Sequence, residues 1–438
     1  MLSYFQLDNG LRVIIDDAAS ANVVYAGIAV AAGTRYELPH EAGMAHFVEH
    51  MTFKGTPRLT SLQILNRMES VGGDLNAYTG KEEVVYYSTF PRQHLSRALS
   101  LLTDITFNSL YPQAELEKER EVVIDEIESY NDSPSDLIYD DFEALLYRDH
   151  PLGRRILGDA DSLRSYATAD LQRFVRRLYT PDRAILFVKG QVTEKEVRRC
   201  LSHTAAPSTP TPDLTHPRQR SSASVAQDGL TFSQTDISFA TRQGGGIADP
   251  LEYQAPTSPF IIHKSTHQAH VMMGTSAYGL TNERYIGLAL LNNLLGGPAM
   301  NSRLSLALRE HSGLVYAVEG SLSAYTDTST WAVYFGCDHA DVRRCLRLVH
   351  RELRRLIDKP LTPRALAAAK RQLCGQMSVA TDSFENNALG MAKRYLLTQH
   401  VPTLEQQCEH INALRADDLQ AIAADIFEPS RLLTVIYE

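Results

Sequence analysis

The sequence predicts an α+β protein of two duplicated domains, each an antiparallel or mixed β-sheet with helices packed mainly on one face. Three observations carry this prediction. A helix–proline–strand passage occurs twice: Leu178-Tyr179-Thr180-Pro181-Asp182-Arg183 precedes the apolar run 184–188, and Ile426-Phe427-Glu428-Pro429-Ser430-Arg431 precedes the run 432–436. Pro181 and Pro429 lie 248 residues apart, as do Asp170-Leu171-Gln172 and Asp418-Leu419-Gln420. Two matches at one spacing mark an internal repeat. Strand-like and helix-like patterns alternate along the first copy. Between the copies the composition shifts: residues 204–228 are rich in Ala, Ser, Thr and Pro, and 240–258 hold Gly244-Gly245-Gly246 and several prolines. Such breaker-rich, apolar-poor stretches behave as linkers. The expected division is a domain over 1–203, a linker over 204–257 and a homologous domain over 258–438.

Taken in order, residues 11–16 and 23–32 read as strands, punctuated by Asn9-Gly10 and Gly33. A helix is expected from about 39 to 53, stopped by Gly55-Thr56-Pro57, and a second over 61–71, stopped by Gly72-Gly73. Residues 75–90 alternate like a pair of strands. Helical patterns follow at 92–108, 113–130, 135–147 and 169–178, and a strand at 184–190 closes the half. In the second half, the helix 286–295 takes the place of the 39–53 helix. It carries neither His nor Glu, so only the first copy is expected to hold a metal.

At 438 residues, with 44% hydrophobic and 22% charged residues, the chain has the make-up of a globular protein of more than one domain. A formal charge of −9 and the lack of a Lys/Arg run argue against nucleic acid as a partner. No apolar run approaches a membrane span, and the first residues lack a basic segment followed by an apolar one. The expectation is a cytoplasmic protein with no membrane partner. The five cysteines are odd in number and lack C-x-x-C spacing, as expected of reduced thiols.

The chemistry centres on His46-Phe47-Val48-Glu49-His50. On a helix, positions i, i+3 and i+4 share a face, so His46, Glu49 and His50 project together while Phe47 and Val48 turn to a core. Two imidazoles one turn apart can chelate a cation such as Zn²⁺, and the carboxylate between them stands where it can take a proton from water. A third protein ligand is needed. The acidic stretch 115–128 offers Glu119 and Glu126, two turns apart on one face and flanked by Val122, Val123 and Ile127; this pattern leaves the choice between them open. The other acids of that helix are expected to be solvated, paired with Lys118 and Arg120.

The passage from Glu41 to Thr56, Glu-Ala-Gly-Met-Ala-His-Phe-Val-Glu-His-Met-Thr-Phe-Lys-Gly-Thr, resembles the signature of the pitrilysin-type metallopeptidases, the inverzincins, which include insulysin and the mitochondrial processing peptidase. The resemblance implies a two-domain short form, similar to the processing-peptidase beta subunit and bacterial homologues. It implies one Zn²⁺ per chain, with His46, His50 and Glu126 as ligands, because the family's third ligand is a Glu some 76 residues beyond the second His. Glu119 matches a conserved supporting Glu, and Glu49 the general base of peptide hydrolysis. Residues 295–304 and 308–316 resemble the family's C-terminal signature, so Arg309 and Tyr316 are expected to hold the substrate carbonyl or backbone across a facing domain. Asn76 and Ala77 match a strand edge that takes up extended substrate. Pro298 departs from the family pattern, which usually has another Gly there. The implied protein is a zinc-dependent endopeptidase acting on unfolded or extended peptides, with two chains closing as a homodimer. The alternatives are a subunit of a hetero-oligomeric processing peptidase and a non-catalytic structural or assembly protein of the same fold.

Overall fold

The computed structural model describes residues 2–18, 21–148, 150–202, 255–256, 258–264 and 266–438. Nearly all of the expected linker, 204–257, lies outside them. The first half runs β1 (Leu2–Gln6), β2 (Arg12–Asp17), β3 (Val23–Val30), α1 (Met44–Thr52), α2 (Ser61–Glu69), β4 (Asn76–Thr79), β5 (Val84–Pro91), α3 (Leu95–Asn108), α4 (Gln113–Asn131), α5 (Pro134–Leu146), α6 (Ala160–Ser165), α7 (Thr168–Leu178), β6 (Ala184–Gly190) and α8 (Glu194–Leu201). The second runs β7 (Phe260–Ile262), β8 (Ala269–Tyr278), α9 (Tyr285–Gly296), a π-helical turn Ser305–Glu310, β9 (Val315–Ala324), β10 (Thr328–Cys337), α10 (Val342–Asp358), α11 (Pro363–Thr381), α12 (Phe384–Thr398), α13 (Leu404–Ala413), α14 (Ala416–Ile426) and β11 (Leu433–Tyr437).

Two mixed sheets result, ordered β1-β2-β6-β3-β5-β4 and β7-β11-β8-β10-β9. In each, one parallel pair (β2 with β6, β7 with β11) is followed by antiparallel neighbours. Apart from the added β1, the second order repeats the first, and the duplicated sequence passage ends in the equivalent strands β6 and β11. Each sheet is covered on one face by helices of its own half. The other face is covered by one helix borrowed from the other half. Ala388, Met391, Ala392 and Leu396 of α12 pack on Ile14, Ala29, Ile185 and Phe187 of the first sheet. Leu137, Ile138, Phe142 and Leu146 of α5 pack on Met272, Ala332, Leu433 and Val435 of the second.

This exchange explains the composition of β6 and β11. Successive strand residues point to opposite faces. Ile185 and Phe187 therefore meet α12, while Leu186 and Val188 meet the first half's own helices. A strand buried on both faces reads as a continuous apolar run. Polar contacts also tie the halves together: Arg35, held by Glu82 of its own half (2.8 Å), bonds Asp327 (2.5 Å), Lys393 bonds Glu83 (2.8 Å), and Glu143 accepts from Tyr325 (2.6 Å) and Thr330 (2.9 Å).

The helix expected from residue 39 begins only at Met44, because Gly43 before it takes φ 76°, a left-handed conformation that ends regular helix. Space at that point is as restrictive as the dihedral: a Cβ on Gly43 would stand 2.6 Å from the Leu157 carbonyl oxygen.

Candidate metal centre

Helix α1 carries the site. Phe47 and Val48 are fully buried, which orients the opposite face outward from the core. Its first turn is held by Glu37, whose carboxylate accepts from the backbone N–H of Ala45 (2.9 Å) and of Gly43 (3.4 Å). On the outward face His46 and His50 stand with ring centroids 4.6 Å apart. Helix α4 packs against α1 and brings Glu126 to them: its Oε2 lies 3.4 Å from His50 Nε2 and 3.9 Å from His46 Nε2. One donor atom of each of these three residues falls within 4.8 Å of the others, the single such grouping among the described residues.

The donor chemistry fits a divalent cation such as Zn²⁺. Two imidazole nitrogens and one carboxylate oxygen are a recognised catalytic ligand set. Both rings are arranged as neutral or carboxylate-supported donors. Burial, and next the neighbouring His50, push His46 down to about 3, so its ring is neutral at physiological pH and keeps a lone pair. Its Nδ1 is buried and meets no hydrogen-bond partner among the described residues. His50 Nδ1 donates to Glu119 Oε1 at 3.0 Å, and that bond leaves the Nε2 lone pair facing Glu126. Glu126 itself is exposed on its free side, open to a ligand from solvent.

Glu119 is not among the three donors. It stands behind His50 and is paired on its other oxygen with Lys54. Burial alone would raise it, but the bond from His50 and the Lys54 ammonium hold it below its usual value. Lys54 was not singled out from sequence; it lies in the turn just beyond the end of α1, where no helix period marks it. Thr79 is the second addition. It donates from the end of β4 to Glu49 Oε2 at 2.6 Å. Glu49 is half-buried, and burial pushes its carboxyl up against the opposing effect of the Thr79 bond.

Among the described residues β4 is the last strand of its sheet and pairs with β5 alone, with Asn76 opposite Tyr87 and Ala77 opposite Tyr86. Its other edge is unpaired among the described residues, and Thr79 at the end of the strand links it to Glu49. Of the residues flanking that face of α4, Val123 and Ile127 are buried while Val122 is 52% exposed. Lys118 pairs with Glu115 as expected, but Arg120 donates to the carbonyls of Leu163 and Tyr166 instead of to an acid on its own helix.

Arg309 and Tyr316 are not joined to this group by any hydrogen bond or ion pair among the described residues. Arg309, in the π-helical turn, pairs with Glu310 at 2.8 Å. Tyr316, near the start of β9, is 90% exposed.

Comparison with known proteins gives a consistent family result. Residues 12–160 match the insulinase family, peptidase family M16, and residues 167–373 match the family described as the peptidase M16 inactive domain. An uncharacterized zinc protease of Bacillus subtilis is 28% identical over 437 residues, covering 100% of this chain and 98% of its own. One of Streptomyces coelicolor is 28% identical over 430 residues, covering 98% and 88%. Among solved structures, a protease from Helicobacter pylori aligns with a TM-score of 0.84 at 20% identity, over 100% of this chain and 99% of that one. A Pseudomonas fluorescens protein described as a peptidase M16 inactive domain aligns at 0.83 and 18% identity, over 100% and 98%.

Proposed function

Because the chain belongs to the pitrilysin-type M16 peptidase family in its two-domain form, we propose that it is a zinc-dependent endopeptidase for extended peptides. The observation that carries this reading is the convergence of His46, His50 and Glu126 beside a carboxylate, Glu49, that is itself tied to an open strand edge. His46, His50 and Glu126 would hold one Zn²⁺ per chain, which when bound lowers the pKa of water towards neutrality and polarises a carbonyl. Glu49 accepts the proton of the attacking water on a carboxylate oxygen and returns it to the leaving amine. Thr79 holds Glu49 Oε2 and so limits its rotation. Glu119 keeps the proton of His50 on Nδ1, and Lys54 balances the charge of Glu119. An extended peptide laid along β4 would bond to the backbone at Asn76 and Ala77 and run past Glu49.

Arg309 and Tyr316 act on the substrate carbonyl or backbone of a facing copy. The exposure of Tyr316 and its lack of contact with the metal group of its own chain favour that assignment over one within the chain. The functional unit is then a homodimer. The same reading assigns catalysis to a domain over 1–203 and the Arg309/Tyr316 pair to a domain over 258–438, joined by 204–257, with the cytoplasm as the working compartment. No described helix is long and apolar enough to cross a membrane.

The test is cleavage of a quenched fluorescent peptide library by the purified chain beside Glu49→Gln, with zinc content measured for both. The expected outcome is that the wild type cuts, a chelator stops it, and the variant retains zinc while losing turnover by at least about 100-fold. A wild type that holds zinc and cuts nothing would leave the binding site standing and remove the hydrolase.

A further inference from the structure

The outer face of α10 carries a second concentration of charge. This helix carries six arginines, Arg343, Arg344, Arg347, Arg351, Arg354 and Arg355, against two acids, Glu352 and Asp358, in a chain whose formal charge is −9. Four of the arginines line one open cavity of 880 Å³, bordered among the described residues by Ala255, Pro256, Ser258 and Pro259 on one side and by Pro429, Ser430, Leu432 and Thr434 on the other. Buried Glu352 takes up Arg355 at 2.8 Å and Arg351 at 3.3 Å. Arg347 and Arg354 make no ion pair or hydrogen bond among the described residues. Asp358 is the one carboxylate on the wall. Unpaired guanidinium groups gathered along a concavity favour oxyanions, which they bind in bidentate fashion.

The shape narrows the ligand. Arg347, Arg351 and Arg354 follow one helix stripe, each step rising about 4.5–6 Å. Alternate residues of an extended chain are separated by about 6.6 Å, so carboxylates at every second position can meet successive arginines. The rest of the lining includes Leu346, Leu432 and Pro259, an apolar surface that a bare polyphosphate would leave uncovered and that the side chains of a polypeptide would fill. The elements around the groove pack against α14 and the second sheet rather than against α1 or α4, which separates it from the metal centre.

From this combination we infer that the α10 groove docks an extended acidic segment of a partner polypeptide, one that is held there and not cut. Binding at this groove is independent of whether the chain hydrolyses peptides.

The experiment is fluorescence anisotropy with the full chain and a labelled peptide of alternating Glu and Leu. The comparisons are a Lys-Leu peptide, inorganic polyphosphate as competitor, and the double variant Arg347→Glu/Arg354→Glu, whose melting temperature is checked against wild type. The expected result is saturable binding of the Glu-Leu peptide alone, weakened at least tenfold in a folded double variant, with the peptide recovered intact by mass spectrometry. Equal binding by wild type and variant, or no binding, would overturn the site. Displacement by polyphosphate at lower concentration than by unlabelled peptide would overturn the polypeptide assignment. Cleavage of the peptide that slows in the double variant would make the occupant a substrate and overturn the partner assignment.

Discussion

Lys54 and Glu119 show how far the candidate metal centre extends beyond its three donors. Glu119 bonds His50 at 3.0 Å and is paired with Lys54, so neither touches the cation position, yet both set the state of a donor. Replacing such supporting groups typically lowers metal affinity by about 10–100-fold. Glu119→Gln is expected to fall in that range and Lys54→Met nearer its lower end, read by competition with a chromophoric zinc chelator; unchanged affinity in both would remove the relay. A different carboxyl governs the pH response of the fold. Burial, against the N–H groups of Ala45 and Gly43 and the charge of Arg154, pushes Glu37 up to about 8. A carboxyl raised in the native state binds more protons folded than unfolded, so its contribution is full below about pH 4 and is lost as pH rises through that native value. The melting temperature of the wild type should therefore fall relative to that of Glu37→Gln between pH 5 and 9. Parallel curves would mean that Glu37 is charged throughout.

At the scale of elements, the exchanged helices α5 and α12 matter most. Each completes the core of the other half's sheet, so a change in one half should unfold the whole. Phe142 in α5 is fully buried against the second sheet, and Phe142→Ala is expected to cost about 3–5 kcal/mol. Leu62→Ala on the exposed face of α2 should change stability by less than about 0.5 kcal/mol. Urea unfolding followed by both far-ultraviolet and Trp331 signals checks this, since Trp331 reports from the second core. Two separate transitions for Phe142→Ala would show that the halves fold independently. Element boundaries were legible where turn residues flank them, as at Gly72-Gly73 after α2. They were misread where a glycine conformation intervenes, as at Gly43. The short β1, α6 and α8 were not read at all, because Leu2–Gln6 is only partly buried and the two helices have fewer than nine residues each.

For the whole molecule, the exposure of Tyr316, with no hydrogen bond to the candidate metal centre of its own chain among the described residues, makes a prediction about assembly. If each centre is completed by a facing copy, Glu49→Gln and Tyr316→Phe should each be nearly inactive alone. Mixing them after dissociation should restore roughly a quarter of the wild-type rate, because half the dimers are mixed and one of their two centres is intact. Equilibrium sedimentation of the mixture confirms the dimer. A mixture that stays inactive while dimeric would place the work of Tyr316 elsewhere.

The sequence by itself determined the local and periodic features: the duplication, the α1 stripe of His46, Glu49 and His50, and the two-turn spacing of Glu119 and Glu126. These follow from helix and strand periods that any short segment expresses on its own. Pattern alone did not separate Glu119 from Glu126, since both lie on one face; resemblance to a family favoured Glu126. Only the tertiary structure decided what depends on elements distant in the chain. It set Glu119 behind His50 and Glu126 beside both imidazoles, through the packing of α4 on α1. It brought Thr79 to Glu49 across 30 residues, and it placed α5 and α12 on sheets that belong to the opposite halves. Such contacts arise from the burial of apolar faces among distant segments, whose geometry no local period encodes.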